Sequence, residues 1–463
     1  MRLNLKDRMF IPICILLFAI HIYILLQLIF FLYPELLVYS FLTDKGLLPY
    51  KEIIDQHFPG LMFLPVNLKT LGIDTVKEMR LLHLGLTVFS DILFVKLSGK
   101  LLKRKILVII SLIFYIFWQI YLEGHVLWIE SFVTPLILMA FIYLYKFMRR
   151  RNASDIYMSA LIFGIAFVFK QTLAPLIFLV FLYLLIDRTG IKKILISLSL
   201  VLVPIFLVFV HFWRLGVIND FIYWTAIFNL TVFSQMGKTQ PTLTGIFKLS
   251  PVFGLTLISI IILIKKHDTK RLLLPGIFFT GTLFFAYARF DFIHLQPALP
   301  YAVMICFLSL KYLRKYILIP CLLLYSLVSL YIFIPNFRFF NKPGVSPMLN
   351  DPETVTLVNT INRYRKNGEK IFAFGTYLHI YYLTDTLPPG NIFSFQFPWF
   401  MKIAQLKVLQ GIIEDPPAII IRDRKSYVDG YALIDYMPDI ENYVEYHYRT
   451  IDSVNNTEIL VKI

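Results

Sequence analysis

Long apolar blocks separated by short basic loops run through the first 335 residues of this chain. The first block, "FIPICILLFAIHIYILLQLIFFL" at 10–32, carries no charged residue over a length that can cross a membrane. A helix rises about 1.5 Å per residue and a bilayer's hydrocarbon core is about 30 Å thick, so about 20 such residues suffice. Of the 463 residues 58% are hydrophobic and only 16% charged, too few charges to coat a soluble body of this size. A backbone in lipid must satisfy its own hydrogen bonds, so the blocks are expected to be helices of a polytopic membrane protein. The first block lacks a small-residue cleavage site and reads as a retained helix, not a signal peptide.

The net charge of +16 invites a nucleic-acid reading, but its distribution argues against one. Twenty-two of the 45 Lys and Arg residues fall in segments 2–8, 96–105, 146–151, 188–193, 265–271 and 311–315. The alternate loops, around 121–128, 170 and 289, carry none, one and one. That alternation follows the positive-inside rule, which keeps basic short loops in the cytoplasm. Cys14, Cys306 and Cys321 all lie in apolar blocks, so no disulfide framework or metal cluster is expected.

Blocks and basic loops together predict about 11 transmembrane helices, near 9–32, 80–97, 106–122, 127–145, 156–169, 172–187, 194–212, 250–264, 272–288, 297–310 and 316–334. The N-terminus is then cytoplasmic and everything after 335 outside. Residues 156–186 have basic flanks on both sides, which demands two crossings with a tip at "FKQT". Arms of about 14 residues reach only about 20 Å, so that tip is expected below the outer surface. The long outer loops 33–80 and 213–249 are expected to form short helices along the membrane surface. From 336 the composition shifts. "PETVTLVNTINRYRKNG" reads as a helix with a Gly stop, "NGEKIFAFG" and "PPAIIIRD" as buried strands, and "YVEYHYRTID" with "TEILVKI" as a terminal strand pair. The expected domains are a membrane part, 1–335, and a small extracytoplasmic α/β domain, 336–463.

The outer loops collect ionisable residues: Glu35, Asp44, Glu52, Asp55 and His57; Glu123, His125 and Glu130; Lys170 with Gln171; Arg289, Asp291 and His294. Carboxylates and cations at apolar helix ends are costly unless they pair or work. Both signs on one face suit a substrate with an anionic head and a group that must lose a proton. An acceptor hydroxyl needs a carboxylate to take its proton. A lipid phosphate is already a good leaving group and needs cations against its departing charge.

"PELLVYSFLTDKGLLPYKEIIDQHFPG", "FVFKQTLAPLIF" and "RFDFIHLQPALP" resemble segments of GT-C glycosyltransferases of the protein O-mannosyltransferase and aminoarabinose transferase type. The resemblance covers most of 1–335 and implies a GT-C fold. It also implies transfer of a sugar from a polyprenyl-phosphate donor to a lipid, glycan or protein hydroxyl on the extracytoplasmic face, with inversion and no cofactor. Glu35 matches the second acid of the family's first-loop motif, while Pro34 stands where the first acid is expected. The base is therefore Glu35 or Asp55. Asp55 and His57 match polar positions before the Pro-Gly. A Lys frequent there in the family is absent, which leaves Lys170 or Arg289 to bind phosphate, with His57, Gln171, Glu123, Glu130, Asp291 and His294 as further substrate-binding candidates.

Plainer readings compete at each position. Asp55 can cap its own turn; Lys170 can snorkel to the surface; Glu123 and Glu130 can simply pair with Lys170 or Arg289. An Asp-x-His pair is weak ground for a metal, and none is expected. The rival class is a transporter or flippase of a polyprenyl- or sugar-phosphate, whose site lies near the midplane. No charged residue is expected near the middle of a crossing, and no internal repeat is visible. A membrane-anchored scaffold presenting 336–463 would leave the many crossings without a purpose.

Overall fold

The computed structural model describes residues 9–313, 352–375 and 378–463, with a few isolated positions between 325 and 349. In chain order, α1 (Phe10–Gln27) is followed by a short strand β1 (Ile29–Leu32), α2 (Pro34–Asp44) and β2 (Ile53–Ile54). Then come α3 (Val76–Leu102), α4 (Lys105–Tyr121), β3 (Val126–Leu127), α5 (Ile129–Arg150), α6 (Ala153–Phe169), α7 (Ala174–Ile186) and α8 (Ile191–Arg214). Short α and π turns fill 218–236. α9 (Leu243–Lys265) carries a π turn at Ser250–Gly254, where Pro251 removes a ladder donor. α10 (Thr269–Leu283) and α11 (Leu299–Ser309) follow. The C-terminal part has α12 (Pro352–Tyr364), β4 (Ile371–Phe374), β5 (Phe393–Ser394), α13 (Pro398–Glu414), β6 (Ile419–Asp423), α14 (Pro438–His447), β7 (Tyr448–Val454) and β8 (Thr457–Lys462).

Every expected crossing from 9–32 to 297–310 contains one of these helices, and 316–334 lies largely outside the described residues. Among the described residues five helices, α1, α3, α5, α8 and α9, are long and apolar enough to cross a membrane. α6 begins at Ala153, three residues before its expected start, so its 17 residues reach about 26 Å rather than 20.

The chain divides into two compact units. The first comprises residues 1–31, 79–207 and 239–344. It turns apolar side chains outward: on α8 Leu195, Leu198, Leu202, Phe206 and Leu207 are exposed. Its interior holds His21, Asp91, Gln119 and Glu130. A soluble protein would avoid so continuous an apolar face, whereas lipid asks for one. Glycines let its helices approach closely. A Cβ on Gly164 of α6 would lie 2.4 Å from the Val201 carbonyl of α8, and one on Gly281 of α10 2.7 Å from Leu176 of α7.

The second unit comprises 32–78, 208–238 and 345–463, so segments of both expected outer loops join the C-terminal part. Its sheet runs β7-β8-β6-β4. β4 and β6 are parallel, Ile371 opposite Ile419, and β8 is antiparallel to β6 and β7. The expected terminal strand is shorter than read: 443–447 continue α14 and pairing begins at Tyr448. Pro438 at the helix start and the acids Asp439 and Glu441 in its first turn favour helix there. β2 pairs in parallel with β5, Ile53 opposite Phe393, which ties the 46–60 segment to the C-terminal part. α2 is no one-sided surface helix: residues 35–42 are all buried.

Candidate active site

In the second unit Pro34 opens α2. A proline suits that position because the first helical N–H has no partner in any case and its φ is already helical. This accounts for the place where an acid was expected. Glu35 follows, 7% exposed, and its Oε2 is buried without a hydrogen-bond partner. Burial pushes its carboxyl up to about 7, nearby Asp55 pushes the same way, and a backbone hydrogen bond and His57 only partly oppose it. A carboxyl tuned near neutrality with an unused oxygen is equipped to exchange a proton.

Tyr39 lies one turn after Glu35 and so on the same helix face. Its hydroxyl donates to Asp55 Oδ2 at 2.6 Å. Asp55 Oδ1 accepts the His57 backbone N–H at 2.6 Å and lies 2.9 Å from His57 Nδ1. The first of these is the turn-capping bond of the plainer reading; the others go beyond it. Asp55 is 1% exposed, while the His57 side chain keeps 24%, so the carboxylate is spent on holding the imidazole. Tyr50 donates to the His57 carbonyl at 2.9 Å and Asn229 to the Gln56 carbonyl at 3.0 Å, and β2 pairs with β5 just before the turn. Burial raises the Tyr39 and Tyr50 phenols well above their ordinary range, so both remain donors.

In the first unit α6 ends at Lys170, whose backbone turns extended (φ −154°, ψ 114°) before a 3-10 turn at Gln171–Leu173. Its side chain is 9% exposed, and the ammonium donates to Glu130 Oε1 and lies 5.4 Å above the Phe285 ring. Glu130, in the first turn of α5 and wholly buried, also sits 2.5 Å from Nδ1 of His294. So short a contact with a carboxylate requires the proton on Nδ1. The 3.3 Å separation of that atom from Lys170 is then not a hydrogen bond. Glu130 Oε2 is buried and unpartnered, an acceptor beside two donors.

The 3-10 turn carrying His294 (Phe292–Leu295) is tied to the loop after α4. Glu123 Oε2 accepts the Ile293 N–H at 3.1 Å and Gln296 donates to the Leu122 carbonyl at 2.9 Å. Burial raises the Glu123 carboxyl, and Asp291 adds to that. Burial holds His125 in the same loop down at about 4. Arg289 Nε lies 3.2 Å from Asp291. Lys170 and Arg289 thus each carry a carboxylate. Gln171 is half-buried beside Lys170. Among the described residues no group of three His, Cys, Asp or Glu is arranged to hold a metal.

The structure therefore assembles Glu35, Asp55 and His57 in one unit, and Glu123, Glu130, Lys170, Arg289, Asp291 and His294 in the other. One expectation fails. Asp91, well inside α3, is wholly buried and pairs with His21 of α1 at 2.9 Å, whose Nε2 lies 2.8 Å from Gln119 of α4. A charged group does stand inside a crossing, and its place in "VFSDILF" signals it, since an acid in an apolar run must find a partner. Nearby Gln119, Ser131, Thr134 and Gln296 border a small polar cavity of about 10 Å³, room for one water.

Helices that expose apolar faces and bury paired charges define a membrane-embedded fold with polar clusters at helix ends. Residues 69–213, α3 to α8, match the sequence model of the family Dolichyl-phosphate-mannose-protein mannosyltransferase. The fold is similar to the crystal structure of ArnT from Cupriavidus metallidurans bound to undecaprenyl phosphate, with a TM-score of 0.60 and 8% identity over 98% of this chain and 97% of that one. It is also similar to the apo state of that protein, with a TM-score of 0.58 and 10% identity over 97% and 98%. None of the curated proteins is detectably similar in sequence. The GT-C resemblance drawn from the short motifs is thus shown, and the chain has an ArnT-like GT-C fold.

Proposed function

We propose that this chain is an integral membrane glycosyltransferase that moves a sugar from a polyprenyl-phosphate donor to an acceptor hydroxyl on the extracytoplasmic face. The observation that carries the reading is the buried Lys170–Glu130–His294 cluster, of which Glu130 and Lys170 lie in the region that matches the mannosyltransferase family. An ammonium held at the break of an apolar helix beside the ring N–H of His294 gives an anionic ligand two donors to meet.

In the proposed step the acceptor oxygen attacks the anomeric carbon as the carbon–oxygen bond to phosphate breaks, and a single displacement inverts the centre. Glu35 takes the hydroxyl proton, since its Oε2 is unused and its carboxyl titrates near 7. Asp55, already engaged by Tyr39 and His57, orients the imidazole, which serves the acceptor; Asp55 remains the alternative base. Lys170 and His294, with Arg289, meet the charge that develops on the phosphate, and Glu123, Glu130, Asp291 and Gln171 position those donors. That ArnT has been solved with undecaprenyl phosphate supports a polyprenyl-phosphate donor. About 11 crossings, a cytoplasmic N-terminus and an extracytoplasmic α/β domain at 336–463 complete the reading. The pairing of β2 with β5 makes the C-terminal part a support for the Asp55 turn, which speaks against a separate scaffold.

The test is to incubate purified protein with a panel of prenyl-phosphate sugars and cell-envelope acceptors, and to follow prenyl phosphate release. Release without Glu35 and Asp55 carboxylates would remove the assignment of the base. One observation favours the transporter or flippase reading, the His21–Asp91 pair inside the crossings. Movement of a labelled prenyl-phosphate sugar across vesicles, with no release of prenyl phosphate, would establish it instead.

A further inference from the structure

Five lysines, Lys96, Lys100, Lys103, Lys105 and Lys146, surround a cavity of about 610 Å³ in the first unit. They come from the end of α3, the link to α4, the first residue of α4 and the end of α5, while Phe10 at the start of α1 closes one side. The floor is apolar, with Leu93, Val108, Met139 and Ile142. Among the described residues no carboxylate lines the cavity. Lys100 and Lys146 are half-buried, and Lys146 lies 4.5 Å above the Tyr143 ring. Lys146 stands sixteen residues along α5 from Glu130, about 24 Å at helical rise, so this is a separate place from the Lys170 cluster.

Topology alone requires basic residues in the loop. It does not require lysines on the last helical turns to encircle an apolar hollow. Like charges crowded around a cavity repel one another unless an anion joins them, and an apolar floor is of no use to a free ion. A volume of this size falls within the usual span of ligand pockets, about 300–1,000 Å³. It can take a headgroup together with the upper part of an acyl chain. Basic pockets between transmembrane helices bind anionic headgroups by this combination.

We propose that this cavity binds the anionic headgroup of a membrane phospholipid, with the phosphate held against Lys100 and Lys146 and an acyl chain over the floor formed by Leu93, Val108 and Ile142. Lys96, Lys103 and Lys105 are more exposed and attract the headgroup without fixing it. The site is independent of the glycosyltransferase reading and stands or falls without it.

The experiment is a native mass spectrometry titration of the full chain in detergent with phosphatidylglycerol, phosphatidylcholine or inorganic phosphate. Phosphatidylglycerol is expected to bind first, and inorganic phosphate at the same concentration should not displace it. K100Q/K146Q should weaken phosphatidylglycerol roughly 25-fold, about five-fold per lysine, and leave phosphatidylcholine unchanged. K100R/K146R should retain the lipid. Equal binding of the two lipids, an unaltered K100Q/K146Q, or displacement by inorganic phosphate would each overturn the proposal. Should the neutral double variant fail to fold, the headgroup preference of the unaltered chain decides alone.

Discussion

Tyr39 donates a 2.6 Å hydrogen bond to Asp55, joining α2 to the turn before Pro59. The bond sets two carboxylates apart in their duties. Asp55 accepts from Tyr39 and from His57, whereas Glu35, one turn before Tyr39, keeps a buried oxygen without a partner. Two acids in one neighbourhood whose surroundings treat them differently are the usual ground for dividing proton transfer from orientation.

If Glu35 is the base, the rate of sugar transfer follows its ionised fraction. Activity should rise with pH up to about 7 and level off above it. E35Q should lose roughly 10²–10⁴-fold in kcat and lose the pH step with it. A pH–rate profile of E35Q that keeps the step would assign the titration to another group.

The same group makes a stability prediction of definite sign. Its carboxyl is raised in the folded chain, so folding favours the protonated form. Stability is then unaffected by Glu35 below its ordinary range, falls as pH climbs towards about 7, and stays lower beyond. The full difference is about 3 kcal/mol. E35Q, which cannot ionise, should melt higher than the parent at pH 8 and no higher at pH 4, as thermal unfolding in detergent would reveal.

Asp55 and Tyr39 are separable by conservative change. Y39F removes one hydrogen bond and should lower kcat/KM about 10-fold, the worth of a hydrogen bond to a charged group. D55N keeps the shape but weakens the hold on His57, and should cost more than Y39F and less than E35Q. A D55N loss as large as that of E35Q would move the base to Asp55.

Much of this architecture was legible in the sequence because lipid imposes a simple rule. Apolar blocks mark the places of α1 and of α3 to α11, and turn residues such as Gly368 mark the stop after α12. Glu130, Lys170 and His294 were legible as costly charges at helix ends, but not as a trio, since they sit 40 and 124 residues apart and only packing brings them together. The coupling of His21 to Asp91 was missed for the same reason: each looks like an isolated polar residue until α1 meets α3. The outer loop 33–80 reads in sequence as short helices along the membrane surface, because partners within it lie more than 300 residues away, among them Phe393 opposite Ile53 and Tyr382 donating to the Asp74 carbonyl.

That buried His21–Asp91 pair predicts a structural cost without a substrate effect. D91N leaves the aspartate's shape but weakens the hydrogen bond, and the melting temperature should fall while the KM for the donor stays unchanged. A raised donor KM with normal melting would draw the pair into substrate handling.

The Lys170–Glu130 pair can be tested by a double-mutant cycle. Removing one partner of a buried pair strands the other charge in a low-dielectric interior, which commonly costs 3–5 kcal/mol, whereas replacing both is far milder. K170M leaves Glu130 with His294 alone, so it should lower the melting temperature sharply; K170M/E130Q, which still lets His294 donate to a carbonyl oxygen, should recover most of it. If Lys170 served only to neutralise Glu130, the double variant would transfer sugar normally. If it meets the donor's phosphate, the double variant should be stable yet show a KM for the prenyl-phosphate sugar raised at least 10-fold, because a charge-assisted hydrogen bond is gone and packing is not. The stable double variant therefore separates the pair's contribution to folding from the ammonium's contribution to binding.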